Sequence, residues 1–148
     1  MKAPQFAYAK PSSLADALAL LEQHGSDAKL LAGGQSLIAT LNMRLSSPSI
    51  LIDISGIPGL AGIAVGSGKV RIGALTKHRD IERSDEIAKH APLLAQAVSQ
   101  IAHVAIRNAG TIGGSIAFAD PAAEWPACCL ALDAELVIAS SAGARRVK

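Results

Sequence analysis

Apolar positions near the start of the chain fall at helical spacing. In PSSLADALALLEQHG, Leu14, Leu18 and Leu21 share one face, Ser13 stands where an N-cap belongs, Asp16 follows at capping-box distance and Gly25 supplies a stop. Ahead of this helix, Gln5–Ala9 predicts a short strand. After it the apolar pattern becomes continuous. AKLLA predicts a short buried strand, Gly33-Gly34 breaks it, and SLIATLNMRL predicts a helix with Ser36 near its cap. Pro48 ends that stretch and SILIDI predicts a second buried strand. Strand, glycine turn, helix and strand make a βαβ unit with parallel pairing.

Further on the pattern shortens. GIAVGSGKVRIGA predicts an antiparallel hairpin turning at Gly-Ser-Gly, TKHRDIERS a short capped helix, and APLLAQAVSQIA an apolar helix beginning near Pro92. VAIRNAG then leads into AGTIGGSIAFADPAAEWPA, where Thr111–Ser115 reads as a small-residue turn between apolar runs. Asp120-Pro121 reads as the cap and first position of a helix over part of Pro121–Leu132. Pro126 resists a continuous helix through Trp125, so a start at Pro126 is the other reading. AELVIASSAGARRV predicts a strand, a turn and the first residues of a partner strand, cut short at Lys148 with an edge left exposed. The chain thus divides into a small α/β lobe, residues 1–56, and an α+β lobe, residues 57–148, joined at GIPGLAG.

Composition narrows the classes. With 148 residues the chain is one domain or two small lobes, and with half its residues apolar but only 3% aromatic its core is built from Ala, Leu, Ile and Val. A net charge of +2, with 18% charged residues and no basic run, excludes a nucleic-acid footprint. No apolar stretch approaches the ~18 residues of a membrane span. MKAPQFAYAK has no apolar signal core, so a cytoplasmic location is expected. Cys128 and Cys129 are adjacent, which suits neither a disulfide nor a metal, and they read as small core hydrophobes. His24, His78, His90 and His103 are scattered, and no metal site is expected. No Ser/His/Asp set or carboxylate pair emerges, so no catalytic residue is assigned; any redox chemistry would belong to a cofactor.

Two stretches stand apart, LAGGQSLIA and TIGGSIAFA. Each has two glycines, a hydroxyl residue and apolar residues of helical character. Glycine lets a ligand approach the backbone, consecutive N–H groups form an anion nest, and a helix start adds its dipole. Ser36, Thr111 and Ser115 each offer a further donor, so two such turns suit the two phosphates of one pyrophosphate. The alternative is that both are ordinary turns. Neither fits G-x-x-x-x-G-K-[ST] or G-x-G-x-x-G, which argues against a P-loop and a Rossmann site. Trp125 reads as a packing anchor, with ring stacking as the alternative. Arg107 reads as a surface or interface charge, with pyrophosphate contact as the alternative.

With both stretches present, the whole chain resembles the FAD-binding (medium) subunit of molybdenum hydroxylases, the carbon monoxide dehydrogenase and xanthine dehydrogenase family. The residues that carry the resemblance are LLAGGQSLIATLNMRL (30–45), ILIDIS (50–55), IGALTKHRDIERS (72–84) and IRNAGTIGGSIAFADPAAEWPA (106–127). The resemblance implies a two-lobed α+β FAD-binding fold of the PCMH type, with FAD between the lobes. It implies that Ala32, Gly33, Gly34, Gln35 and Ser36 form one FAD loop and Thr111, Ile112, Gly113, Gly114 and Ser115 the other. Glu124 occupies the place of an acidic residue that contacts the flavin nucleotide. Ser115 and Phe118 depart from many relatives, which points to a branch acting on other small organics such as N-heterocycles.

The function so implied is an oxidoreductase subunit that is not catalytic alone. It passes electrons through FAD from [2Fe-2S] clusters in a small partner subunit, while a large partner subunit holds the molybdopterin. Family subunits are roughly twice this length, so the fold is expected to be truncated at the C-terminus. Two alternatives remain at this point: a stand-alone FAD-dependent oxidoreductase, and a non-catalytic remnant that folds without flavin.

Overall fold

Ser13 starts the first helix as its spacing predicts. Its Oγ accepts from the Asp16 N–H at 3.1 Å and its hydroxyl donates to the Asp16 carboxylate at 2.7 Å, a capping arrangement that stabilises a helix by ~1 kcal/mol. The structure, a computed structural model, describes residues 2–148. It packs as two units, one running to Pro58 and including Leu136–Val147, the other comprising Gly59–Glu135 and Lys148.

The first unit holds strand β1 (Ala7–Ala9), helix α1 (Leu14–His24), strand β2 (Ala28–Leu31), helix α2 (Leu37–Asn42) and strand β3 (Ile50–Asp53). β3 lies in the middle of a three-stranded sheet of order β1-β3-β2, paired in parallel with both neighbours. A central strand is covered on both faces, and all four β3 residues are buried, as a continuous apolar run requires. β2 departs from expectation. It is an edge strand in which only Ala28 is buried, and Leu30 remains 42% exposed. α1 presents Ala17 to the sheet, with Leu14 exposed, so the buried face lies beside the Leu stripe rather than on it. α2 has only six residues, and Ser36 precedes it in helical conformation without making a side-chain cap.

This unit also includes β6 (Leu136–Ser140) and β7 (Gly143–Val147), which form a hairpin. The expectation of a severed partner strand is corrected here. β7 pairs with β6 over its whole length, from Leu136↔Val147 to Ser140↔Gly143.

The second unit opens with the antiparallel hairpin β4 (Ile63–Gly66) and β5 (Lys69–Ile72). Ser67 and Gly68 both have positive φ, 51° and 71°, the two-residue turn whose twist matches the strands. Six helices follow: α3 (His78–Glu82), α4 (Asp85–His90), α5 (Pro92–Val98), α6 (Val104–Ala109), α7 (Ile112–Phe118) and α8 (Glu124–Ala131). The core joins Ile81, Ile87, Leu94, Val98, Ile112, Trp125 and Cys128.

Four expectations change in this unit. α3 has no side-chain cap; Ser84 instead caps α4, a helix the pattern did not resolve, by accepting from the Ile87 N–H. VAIRNA is itself the helix α6. TIGGS is not a turn: Thr111 is an N-cap and the glycines lie in the first turn of α7. Asp120 caps no helix. Its carboxylate accepts from the Ala122 N–H in a local turn, and α8 starts at Glu124, with Pro126 in its first turn, where a missing N–H leaves no helical bond unmade.

Candidate functional site: two glycine segments

The β2–α2 connection begins where the parallel ladder ends, with the Ile54 N–H donating to the Leu31 carbonyl at 3.0 Å. From there the chain uses its carbonyls and leaves its amides. The Gly33 carbonyl accepts from Gln35 Nε2 at 2.9 Å, that of Gly34 from the Ile38 N–H at 3.0 Å, and that of Ser36 from the Thr40 N–H at 3.1 Å. None of the five N–H groups of Ala32, Gly33, Gly34, Gln35 and Ser36 has an acceptor within the described residues. Gly34 has φ 71°, a conformation in which a side chain is strained, and a Cβ there would press on Leu31 and Ile38 at 3.2 Å.

Ala32, Gly33, Gly34 and Gln35 line an open pocket of about 490 Å³ whose walls also include Asn42 and Asp53. Asp53 was not singled out by the sequence, although a carboxylate inside ILIDI is the signal that would have found it. It is buried, its side chain accepts from the Tyr8 hydroxyl and from the Ser55 N–H at 2.9 Å, and it forms an ion pair with Lys10 at 3.5 Å. Burial alone would raise its pKa. The Ser55 and Tyr8 hydrogen bonds and the Lys10 charge outweigh that and bring it to about 2. The Tyr8 phenol is correspondingly pushed up by its bond to Asp53.

The second segment is built the opposite way. The Ile112 N–H donates to the Thr76 carbonyl at 3.0 Å and the Gly113 N–H to the Ala74 carbonyl at 2.9 Å. The Gly114 N–H donates to Thr111 Oγ1 at 3.2 Å, and the Ser115 N–H to the Thr111 carbonyl at 3.1 Å. All four amides are therefore engaged, and the segment is no anion nest. Gly113 is explained by packing: a Cβ there would lie 2.6 Å from the Ala74 Cβ and 2.7 Å from its carbonyl oxygen. What the segment offers a ligand is side-chain chemistry, the Thr111 hydroxyl hydrogen and the partly exposed Ser115 hydroxyl. α2 and α7 have six and seven residues, too short for the dipole contribution a longer helix would make.

The segment is held by residues 74–78. The His78 N–H donates to the Gly110 carbonyl at 3.0 Å, and Lys77 and Thr111 form an antiparallel bridge. The reading of Arg107 as a surface charge is overturned. It is buried, and its guanidinium donates to the Ile101 and Ala102 carbonyls, each at 3.0 Å, and to Glu82 at 3.2 Å. Trp125 is fully buried, as a packing anchor would be, and its Nε1–H donates to His78 Nδ1 at 3.1 Å. Burial lowers the His78 pKa from its ordinary value, and the Arg107 charge adds to that. Glu124, partly buried, stands at the first position of α8. Cys128 is buried in the core and Cys129 half-buried; burial raises both thiols, with the Glu124 charge adding to it at Cys128. Among the described residues no group of three or more His, Cys, Asp or Glu is placed to hold a metal ion, and no helix is long and apolar enough to cross a membrane.

A sheet-and-helix chain with two glycine segments of this kind has close counterparts. Residues 4–148 match the family described as the FAD binding domain in molybdopterin dehydrogenase. The 6-hydroxypseudooxynicotine dehydrogenase complex subunit alpha of Paenarthrobacter nicotinovorans is 49% identical over 99% of this chain and 50% of its own length. The carbon monoxide dehydrogenase medium chain of Hydrogenophaga pseudoflava is 45% identical over 97% of this chain and 50% of its own. A solved structure of carbon monoxide dehydrogenase from H. pseudoflava, lacking the Mo-pyranopterin moiety of the molybdenum cofactor, superposes with a TM-score of 0.97 at 46% identity, covering 99% of this chain and 51% of that one. The chain belongs to the FAD-binding domain family of the molybdopterin dehydrogenases. It spans about half the length of the curated relatives it matches.

Proposed function

We propose that this chain is the FAD-binding portion of the electron-transfer subunit of a molybdenum hydroxylase. Ala32, Gly33, Gly34, Gln35 and Ser36 bind FAD through backbone amides. Thr111, Ile112, Gly113, Gly114, Ser115 and Glu124 form the second contact, with the Thr111 and Ser115 hydroxyls and the Glu124 carboxylate as its polar groups. The observation that carries this reading is the run of five amides without acceptors among the described residues, beside a pocket of about 490 Å³. Ala32, Gly33 and Gly34 are half-buried, where amides need acceptors, Gln35 and Ser36 are exposed, and a pyrophosphate supplies several acceptors at once. Asp53 at the pocket wall, ionised at neutral pH, opposes anions, so its pairing with Lys10 and Tyr8 keeps that charge from dominating the pocket.

Bound FAD supplies one- and two-electron chemistry. The chain's own part is to bind and orient it, and no residue here is assigned to catalysis. Relatives named as subunit alpha, medium subunit and medium chain support a partner-dependent role. The proposed partners are a large molybdopterin subunit and a small [2Fe-2S] subunit, in the cytoplasm. A stand-alone oxidoreductase and a flavin-free remnant are not favoured by these relatives.

The test is a titration of the 148-residue chain with FAD, ADP and riboflavin. ADP is expected to bind and to compete with FAD, and riboflavin to bind more weakly than either. Riboflavin binding better than ADP would remove the glycine segments from the pyrophosphate, and no binding of any of the three would end the reading.

A further inference from the structure

His78 is a buried titratable group with no direct part in the proposed FAD contacts. Its Nδ1 accepts the Trp125 indole hydrogen, so the imidazole is neutral and carries its proton on Nε2. Its ring sits 5.7 Å from the Trp125 ring at 40°. Its other edge lies so close to Gly110 that a Cβ there would stand 2.8 Å from both Cδ2 and Nε2. Its backbone N–H holds the Gly110 carbonyl. One side chain thus touches the residue before Thr111 and the residue after Glu124.

We propose that His78 is a positioning residue: its neutral ring, wedged between Gly110 and Trp125, sets the Thr111 end of α7 and the Glu124 end of α8 in the arrangement that holds the flavin nucleotide. This rests on the FAD-binding reading. Protonation at Nδ1 turns the acceptor into a donor facing another donor, so the wedge fails in acid. The charges around the ring fix the direction. Arg107 from α6 opposes protonation and is itself paired with Glu82 of α3. α8 brings Glu124 and Cys128, while α5 and α7 bring no titratable side chain.

The chain has one tryptophan, so the Trp125 indole N–H resonance reports the wedge without any flavin. It is followed from pH 7.5 to 5 alongside FAD affinity, in the 148-residue chain and in two variants. His78→Asn keeps an acceptor at the Nδ1 position but cannot titrate; His78→Leu removes the acceptor. In the unaltered chain the indole resonance is expected to move with a midpoint below the ordinary His value, with FAD affinity falling about fivefold to tenfold over the same range. His78→Asn should bind FAD within about twofold of the unaltered chain at pH 7.5 and lose the acid transition, while His78→Leu binds about tenfold more weakly throughout. FAD affinity that ignores the indole transition, or a transition that persists in His78→Asn, overturns the positioning role alone. Absence of FAD binding at every pH overturns the functional reading and this role with it, whatever the indole does.

Discussion

In Ala32–Ser36 five successive amides have no acceptor among the described residues, while in Ile112–Ser115 four successive amides all have one. Both segments read as apolar residue, two glycines, hydroxyl residue. The difference lies in where each helix starts and in the neighbours beside the glycines. After Gly34 the chain delays its helix by two residues, so the amides fall outside any ladder. Before Gly113, Thr111 caps immediately, and residues 74–76 supply carbonyls to the first two amides of α7. The same pair of glycines therefore leaves a backbone open in one place and closes it against the turn at residues 74–76 in the other.

Substitution at the glycines tests that contrast most sharply. Gly113→Val places atoms within 3 Å of the Ala74 backbone, which cannot move without releasing its hydrogen bond to residue 113. The expected loss of stability is about 3 kcal/mol or more, measured by urea unfolding. A loss under about 1 kcal/mol would break the packing explanation. Next in size is Arg107→Met, which leaves the Ile101 and Ala102 carbonyls without a donor, at a cost of about 2–3 kcal/mol. Near-native stability in that variant would show that the guanidinium anchors nothing. Gly34→Ala costs less, about 1–2 kcal/mol for its left-handed backbone, because the nearby atoms are side-chain tips of Leu31 and Ile38. Its larger effect is expected on FAD and ADP binding. Retention of both ligands would reduce the first segment to a turn.

Much of this was legible in the sequence, and the failures have a common origin. The α1 cap, the central strand β3, the βαβ pairing, the β4–β5 hairpin and the Pro92 helix start each depend on residues adjacent in sequence, and each stands where the pattern places it. The family was legible too, because its motifs are local. What escaped depended on tertiary partners. α4 and α6 are only six residues each, too short to show a period. Arg107 looked like a surface charge because its carboxylate partner Glu82 lies 25 residues upstream and no pattern shows the chain folding the Ile101 and Ala102 carbonyls back onto it. Asp120-Pro121 carries a helix-start signal, yet the helix waits for Glu124, where Trp125 can reach the core. The engaged amides at the start of α7 were illegible for the same reason, since the acceptors of the first two, Thr76 and Ala74, lie far upstream.

The smallest expected effect separates the two segments by pH. Asp53 lines the first pocket and has a folded-state pKa of about 2, below its ordinary 3.8. A carboxylate with a depressed pKa contributes stability that is fully present above pH 3.8 and is lost as pH falls toward 2. His78 supports the second segment and is also depressed, but as a base. Its contribution is complete above its ordinary value of 6.5 and diminishes as pH falls below that, because the unfolded chain then binds a proton the folded one resists. At pH 5 the second unit has therefore begun to weaken while the Asp53 cluster has not. Asp53→Asn is expected to cost about 1 kcal/mol at pH 7 through weaker hydrogen bonds from Tyr8 and Ser55. It should flatten the stability curve only between pH 3.8 and 2, leaving the loss below pH 6.5 unchanged. Amide exchange resolved by residue, in the unaltered chain and in this variant, reads the two windows separately. Faster exchange at pH 5 in α7 than in β3, after correction for intrinsic rates, is the expected order. The reverse order would mean that the carboxylate, not the imidazole, is the first anchor to fail in acid.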